Sequence, residues 1–300
     1  MEYIIQTKNL TYSYSKHKKA LDNLNINVPK GSIYGFLGPK GAGKSTTMQL
    51  LTSTLVNSQG VIDVFGESLF KQVPYVFSKI GSLVESPNLY LHLSAIDNLR
   101  CIAKLKEVAE SKISEVLELV GLLENGNQKV KQFSLGMKQR LAIAMTLLGD
   151  PELLLLDEPV NGLDPSGITY IRKLLIKLNK EKGITIFISS HLLSEIEKMC
   201  THIGIIHKGQ LQYEGTMENL SKKAESCSVR VFSKNVKTYE NTLKKFNKTI
   251  AIIDDEHFIV QLKDREMVPE LSKFLIHQNI PLYELKIEDK LEDKFLSLTK

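Results

Sequence analysis

The sequence predicts an α/β fold built around a parallel sheet, with a small α+β module at its carboxyl end. Three observations carry this reading. Residues 33–37, 153–156 and 184–188 are short, continuous apolar runs, as strands buried on both faces must be. A helical pattern over 167–182 lies between the last two, which makes an α/β unit. Residues 38–46 read GPKGAGKST and join the first run to a helical stretch over 46–55, a strand–loop–helix context.

The elements follow in order from the amino terminus. Residues 3–36 read as strands, with Val28-Pro29-Lys30-Gly31 as a turn, so the chain opens with a β subdomain. Between about 88 and 148 the spacing becomes helical. Ile113, Val116, Leu117 and Val120 share one face of a helix over 107–121, and Gly121 is its stop. Ser134 precedes Leu141, Ala144, Met145 and Leu148 at helical spacing and reads as an N-cap. This stretch is a helical insertion ahead of the strand at 153–156. Past Gly215 the pattern changes to strands at 229–232, 250–253, 258–262 and 282–287, with helices at 239–246 and 269–277. That order, βαββαβ, predicts a ferredoxin-like module. The expected division is 1–215 and 216–300, with no internal repeat and no low-complexity linker.

Composition narrows the function classes. The net charge of +5 is spread along the chain, with 15 basic against 14 acidic residues from position 216 onward, so no nucleic-acid stripe is expected. Cys101, Cys200 and Cys227 are odd in number and form no CxxC pair, which fits reduced thiols in a cytosolic protein better than a disulfide scaffold or zinc site. The first residues do not read as a signal peptide, and nothing approaches the ~20 apolar residues of a membrane span. Any work at a membrane requires another chain to supply the spans.

The loop at 38–46 matches G-x-x-x-x-G-K-[ST] throughout. Its glycines let backbone N–H groups curl around phosphate oxygens, and the following helix directs its positive end at them. Lys44 reaches the β- and γ-phosphates in such a loop, and the Ser45 hydroxyl takes Mg²⁺. Asp157 and Glu158 end a buried strand, where a carboxylate needs a partner or solvent. Mg²⁺ answers this for Asp157, and Glu158 then falls where an attacking water sits. Ser134 and Gly136 open a helix whose amino-terminal N–H groups form an anion site.

With Ser134-Leu135-Gly136-Met137-Lys138-Gln139 lying between that loop and that strand, residues 1–215 resemble the ATP-binding cassette (ABC) family. The resemblance implies a P-loop NTPase cassette whose ATP site, over Gly38, Pro39, Lys40, Gly41, Ala42, Gly43, Lys44, Ser45 and Thr46, is completed by Ser134 and Gly136 of a second cassette. Lys40 departs from the usual Asn. The resemblance further implies Tyr14, or its neighbour Tyr12, as the ring that stacks on adenine, and Asp164 as a contact to the opposite subunit. It makes His191 the histidine that contacts the γ-phosphate. Glu85 stands where most cassettes carry Gln, near Mg²⁺. Glu85-Ser86-Pro87, with the 134–139 run, is similar to the ATP-binding subunits of bacitracin-resistance and lantibiotic-immunity exporters of Gram-positive bacteria. The ending at 290–296 is similar to that of many drug-exporter cassettes. Such a protein hydrolyses ATP with Mg²⁺, pairs as a homodimer or with another cassette, and sits on the cytoplasmic side of the cell membrane against multispanning subunits. Two other readings stand beside it: a soluble cassette ATPase acting on ribosomes or nucleic acid, and a weakened nucleotide-binding regulator suggested by Glu85.

Overall fold

The three apolar runs are adjacent strands of one sheet. In this computed structural model, which describes residues 2–15, 18–56, 59–85, 88–222, 227–247, 249–288, 295 and 298–299, a sheet of six strands holds them. Its order is Gln210–Thr216, His202–His207, Ile33–Leu37, Thr185–Ser190, Leu153–Asp157, Ile80–Leu83. All neighbours are parallel except the first strand, which folds back antiparallel on His202–His207. Ile33–Leu37, Leu153–Asp157 and Thr185–Ser190 are buried at every position, which is why they read as unbroken apolar runs rather than as alternation. Tyr34 and Phe187 stack with centroids 5.4 Å apart across two of these strands, and Phe36 leans on the same ring.

Register decides where chemistry can gather. Leu37 lies opposite Ser190, and Asp157 opposite Ser189. The carboxyl ends of three neighbouring strands therefore finish side by side, the place where open α/β sheets hold ligands.

An antiparallel sheet precedes this one, in the order Lys18–Leu24, Tyr3–Ser15, Gln59–Val64, Glu67–Ser68, with Asn27–Pro29 also paired to Tyr3–Ser15. Val28 and Pro29 thus belong to a strand, and the turn narrows to Lys30-Gly31. Pro29 is tolerated because it ends a short strand opposite Tyr3. The insertion holds three helices, Ala95–Leu105, Ser111–Leu119 and Leu135–Leu147. The one expected over 107–121 is shorter because Glu107 (φ 55°) and Gly121 (φ 64°) both take left-handed backbone outside its ends. The helix expected over 46–55 runs Lys44–Leu51 instead. It stops early because Ser53, just past its C-cap Thr52, takes left-handed backbone (φ 53°). Pro165–Lys182 starts on Asp164 and closes on left-handed Gly183.

The chain divides into two compact units, Met1–Met217 and Glu218–Leu298, the last residues aside. In the second, the strands lie in the order Ile250–Ile252, His257–Leu262, Cys227–Phe232, Glu284–Glu288, all antiparallel. With Glu240–Phe246 and Val268–His277 as its helices, this is the split βαβ arrangement. Val229, Val231, Phe258, Val260, Leu271 and Leu275 form its core. Among the described residues no helix is long and apolar enough to cross a membrane. Apart from Phe295, the ending at 290–296 lies outside the described residues.

Candidate nucleotide site

The loop leaving Ile33–Leu37 is shaped by close backbone approaches. Gly38 donates its N–H to Ser190 O (3.3 Å), and a Cβ there would lie 2.3 Å from Ile206 O. Gly43 has φ 112°, and a Cβ would lie 2.8 Å from Ala20 O. Glycine is required at both. Ala42 is buried and accepts from Gly209 N–H at 2.9 Å, while Gly41 and Lys40 sit exposed at the tip. The first-turn N–H groups of Lys44–Leu51, which no residue of that helix can satisfy, emerge inside this curl.

Lys44, only 6% exposed, donates to Gly38 O (2.8 Å) and Pro39 O (3.2 Å), and its Nζ stands 3.5 Å from Glu158 Oε1. The other Glu158 oxygen is 2.8 Å from His191 Nδ1. A carboxylate only accepts, so Nδ1 carries the proton and Nε2 is left for another partner. Glu158 has φ 49°, and its N–H donates to Ser189 Oγ (3.1 Å) and Ser189 O (3.2 Å). A left-handed non-glycine residue costs about 1–2 kcal/mol, and these two bonds hold it there. Ser189 Oγ donates in turn to Asp157 Oδ1. Ser189 is a site residue that sequence reasoning passed over, although a hydroxyl in a fully buried strand always needs a partner.

Tyr14 projects an exposed ring, set edge-on to Tyr12 at 5.0 Å, while Tyr12 is half-buried against the core. The Tyr14 hydroxyl lies 3.2 Å from Thr46 Oγ1 and donates to Gln49 Oε1 at 3.1 Å. Gln49 donates to Glu85 Oε1 at 2.8 Å. Gln49 was also missed; its one signal is that it stands three residues after Thr46, on the same helix face. Ser86 and Pro87 lie outside the described residues.

Ser134, Gly136 and Asp164 are not joined to this cluster by the hydrogen bonds they make. Ser134 caps Leu135–Leu147 by accepting from Met137 N–H at 3.2 Å, with Gly136 in the first turn. Asp164 caps Pro165–Lys182, accepting from Gly167 N–H (3.2 Å) and Ser166 Oγ (2.6 Å), and these bonds hold its carboxyl below the usual range. Leu135 lies against Gly162, 3.4 Å from where a Cβ would stand, so the two helix starts adjoin.

Oxygen donors suited to a hard cation are present. Asp157 is buried, accepts from Ser189 and has no ion pair among the described residues, and Ser45 is exposed beside Lys44. No group of three or more His, Cys, Asp or Glu arranged to hold a metal ion by itself occurs among the described residues. Mg²⁺ needs only one or two protein oxygens, with phosphate and water completing its shell.

Comparison with known proteins gives the family. Residues 21–161 match the ABC transporter family. The bacitracin transport ATP-binding protein BcrA of Bacillus licheniformis is 42% identical, over 99% of this chain and 98% of that one. The lantibiotic transport ATP-binding protein SrtF of Streptococcus pyogenes is 45% identical, over 73% of this chain and 95% of that one. Among solved structures, the dimeric post-hydrolysis state of the ATP-binding cassette MJ0796 bound to ADP and Pi superposes with a TM-score of 0.64 at 27% identity, covering 71% of this chain and 98% of that one. Phosphate loop, acidic strand end and relatives together identify the chain as an ATP-hydrolysing, ATP-binding subunit of the ABC transporter family.

Proposed function

We propose that this chain hydrolyses Mg·ATP to power an exporter of a peptide antibiotic or similar compound, conferring immunity or resistance. One observation carries the hydrolytic part: the Glu158 carboxylate is held between Lys44 Nζ at 3.5 Å and His191 Nδ1 at 2.8 Å, beside a phosphate loop. The cargo class is carried by the similarity to BcrA and SrtF.

The residues divide the work. Backbone N–H groups of 38–46 cradle the phosphates, Lys44 takes the β- and γ-phosphate charge, and the exposed Tyr14 ring stacks on adenine. Ser45, Asp157 and Glu85 would hold Mg²⁺, which neutralises phosphate charge when bound. Glu158 orients the attacking water and takes its proton as the water oxygen bonds the γ-phosphorus and the bond to the β–γ bridging oxygen breaks. His191 steadies Glu158 through Nδ1 and presents Nε2 to the γ-phosphate. Ser134 and Gly136 of a second chain close the site from the opposite side, with Asp164 at the same interface. Within one chain Ser134 and Asp164 spend their hydrogen bonds on their own first turns and not on the Lys44–Glu158 cluster, which supports that sharing.

The membrane partner is a separate multispanning subunit, and the chain sits on the cytoplasmic face of the cell membrane. A 510 Å³ groove lined by Thr52, Phe77, Val84, Ile102 and Met145, between the phosphate-loop helix and the insertion, supports docking of such a subunit near Glu85. Residues 1–215 are the cassette and 216–300 an accessory module. Pull-down of the tagged chain from detergent-solubilised native membranes tests the assembly. A stoichiometric multispanning protein is expected; ribosomal or nucleic-acid partners alone would replace this reading with a soluble ATPase. His191→Ala is expected to lose phosphate release while keeping ATP binding, and lost binding would show that His191 has a different role.

A further inference from the structure

Four side chains form a line from the phosphate loop to the loop at Glu85. Thr46 Oγ1 lies 3.2 Å from the Tyr14 hydroxyl, which donates to Gln49 Oε1 (3.1 Å), and Gln49 Nε2 donates to Glu85 Oε1 (2.8 Å). One end sets the direction of every bond. A carboxylate has no proton to offer, so Gln49 must turn its NH₂ toward Glu85. Its amide oxygen then faces Tyr14, and Tyr14 gives its single proton to Gln49. The Thr46 hydroxyl is left to donate to the Tyr14 oxygen. An amide at position 85 would impose no such order, because it can meet Gln49 with either end.

We propose that Gln49 is a positioning residue that ties the acidic loop at Glu85 to Tyr14 and Thr46, so that the placement of Glu85 sets how tightly nucleotide is held. The proposal rests on the assignment of the phosphate loop as the ATP site. Gln49 suits the role because it is three residues past Thr46 on the same helix face, within reach of the strand bearing Tyr14 and of the loop bearing Glu85. Glu85 itself has φ 67°, a left-handed conformation that side chains rarely hold without support, and the Gln49 bond supplies one contact there.

The test is equilibrium binding of mant-ATP with Mg²⁺ to the full chain, joined to steady-state phosphate release, with Lys44→Ala as the control on the ATP site. Gln49→Glu sets two carboxylates, both only acceptors, face to face. Its affinity is expected to fall about three- to tenfold, the range of one net hydrogen bond, and the loss should show in KM for ATP more than in kcat. The exchanged pair Gln49→Glu with Glu85→Gln should restore affinity, because the amide now donates from position 85 and position 49 still accepts from Tyr14. Gln49→Leu and Tyr14→Phe each break the line, so their double variant should bind no more weakly than the worse single one. Failure of the exchange to restore affinity, or additive losses in the double variant, would overturn the positioning role alone. Binding that Lys44→Ala leaves intact would instead overturn the ATP site, and the positioning role with it.

Discussion

Glu158→Gln separates two consequences of one carboxylate. In the protein Glu158 meets Lys44 Nζ at 3.5 Å through one oxygen and His191 Nδ1 at 2.8 Å through the other. An amide has one accepting oxygen and must turn its NH₂ to the second donor, so one contact is lost. Unit charges 3.5 Å apart attract by about 1 kcal/mol in water and about 5 kcal/mol at an effective dielectric near 20. With 6% of Lys44 and 22% of Glu158 exposed, the cost of desolvating both charges offsets much of that attraction, so the lower figure is the one to use. Freed from that pull, Lys44 can commit to the triphosphate, and about 1 kcal/mol corresponds to roughly fivefold tighter ATP binding. The same substitution removes the proton acceptor for the attacking water, which is worth roughly 10²–10⁴ in rate. Two assays are needed: mant-ATP titration for affinity and steady-state phosphate release for turnover. Size-exclusion chromatography with Mg·ATP should also show the variant accumulating as a dimer. Unchanged turnover, or weaker nucleotide binding in a folded variant, would refute the assignment of Glu158.

Three further outcomes are expected. Gly38→Ala puts a Cβ 2.3 Å from Ile206 O, so two strands must part; overpacking of this kind costs about 1–3 kcal/mol, and thermal unfolding should fall by several degrees together with nucleotide affinity. Asn98 is fully buried and serves Tyr90 N–H (2.8 Å), Tyr90 O (3.1 Å) and Ser94 O (2.8 Å), so Asn98→Ala should cost about 1–3 kcal/mol and raise hydrogen exchange at the Tyr90 amide. Unchanged exchange there would show that the clip is not holding the loop. Phe258→Ala removes a fully buried ring from the second unit and should lower its stability by about 3–5 kcal/mol while mant-ATP binding persists. Binding lost in parallel would show that the two units do not fold separately.

Much of the fold is legible residue by residue, and the reason differs between elements. Strands covered on both faces must be apolar throughout, so 33–37 and 153–156 declare themselves without knowledge of their neighbours. Helix starts are equally local, since a cap bonds within its own first turn: Ser134 to Met137 and Asp164 to Gly167 both span three residues. Helix lengths are less secure. Periodicity alone extends one helix back to Glu107, but backbone at φ 55° there breaks it, and left-handed Ser53 (φ 53°) closes another that apolar spacing would continue.

The residues of the site follow the same division. The phosphate loop and the acids ending a buried strand are set by the sequence itself, because curling backbone around an anion needs glycine at fixed spacing and a buried carboxylate needs a reason to be there. Which groups meet depended on strand order. Ser189 reaches Asp157 across 32 residues of chain, His191 reaches Glu158 across 33, and Gln49 reaches Glu85 across 36. The choice of Tyr14 over Tyr12 as the open ring likewise rests on which face of the strand the core covers. A sequence pattern reports the environment of each residue, buried or wet, capped or free. It carries no record of the partner, and only the parallel order of Ile33–Leu37, Thr185–Ser190, Leu153–Asp157 and Ile80–Leu83 brings the carboxyl ends of these strands together.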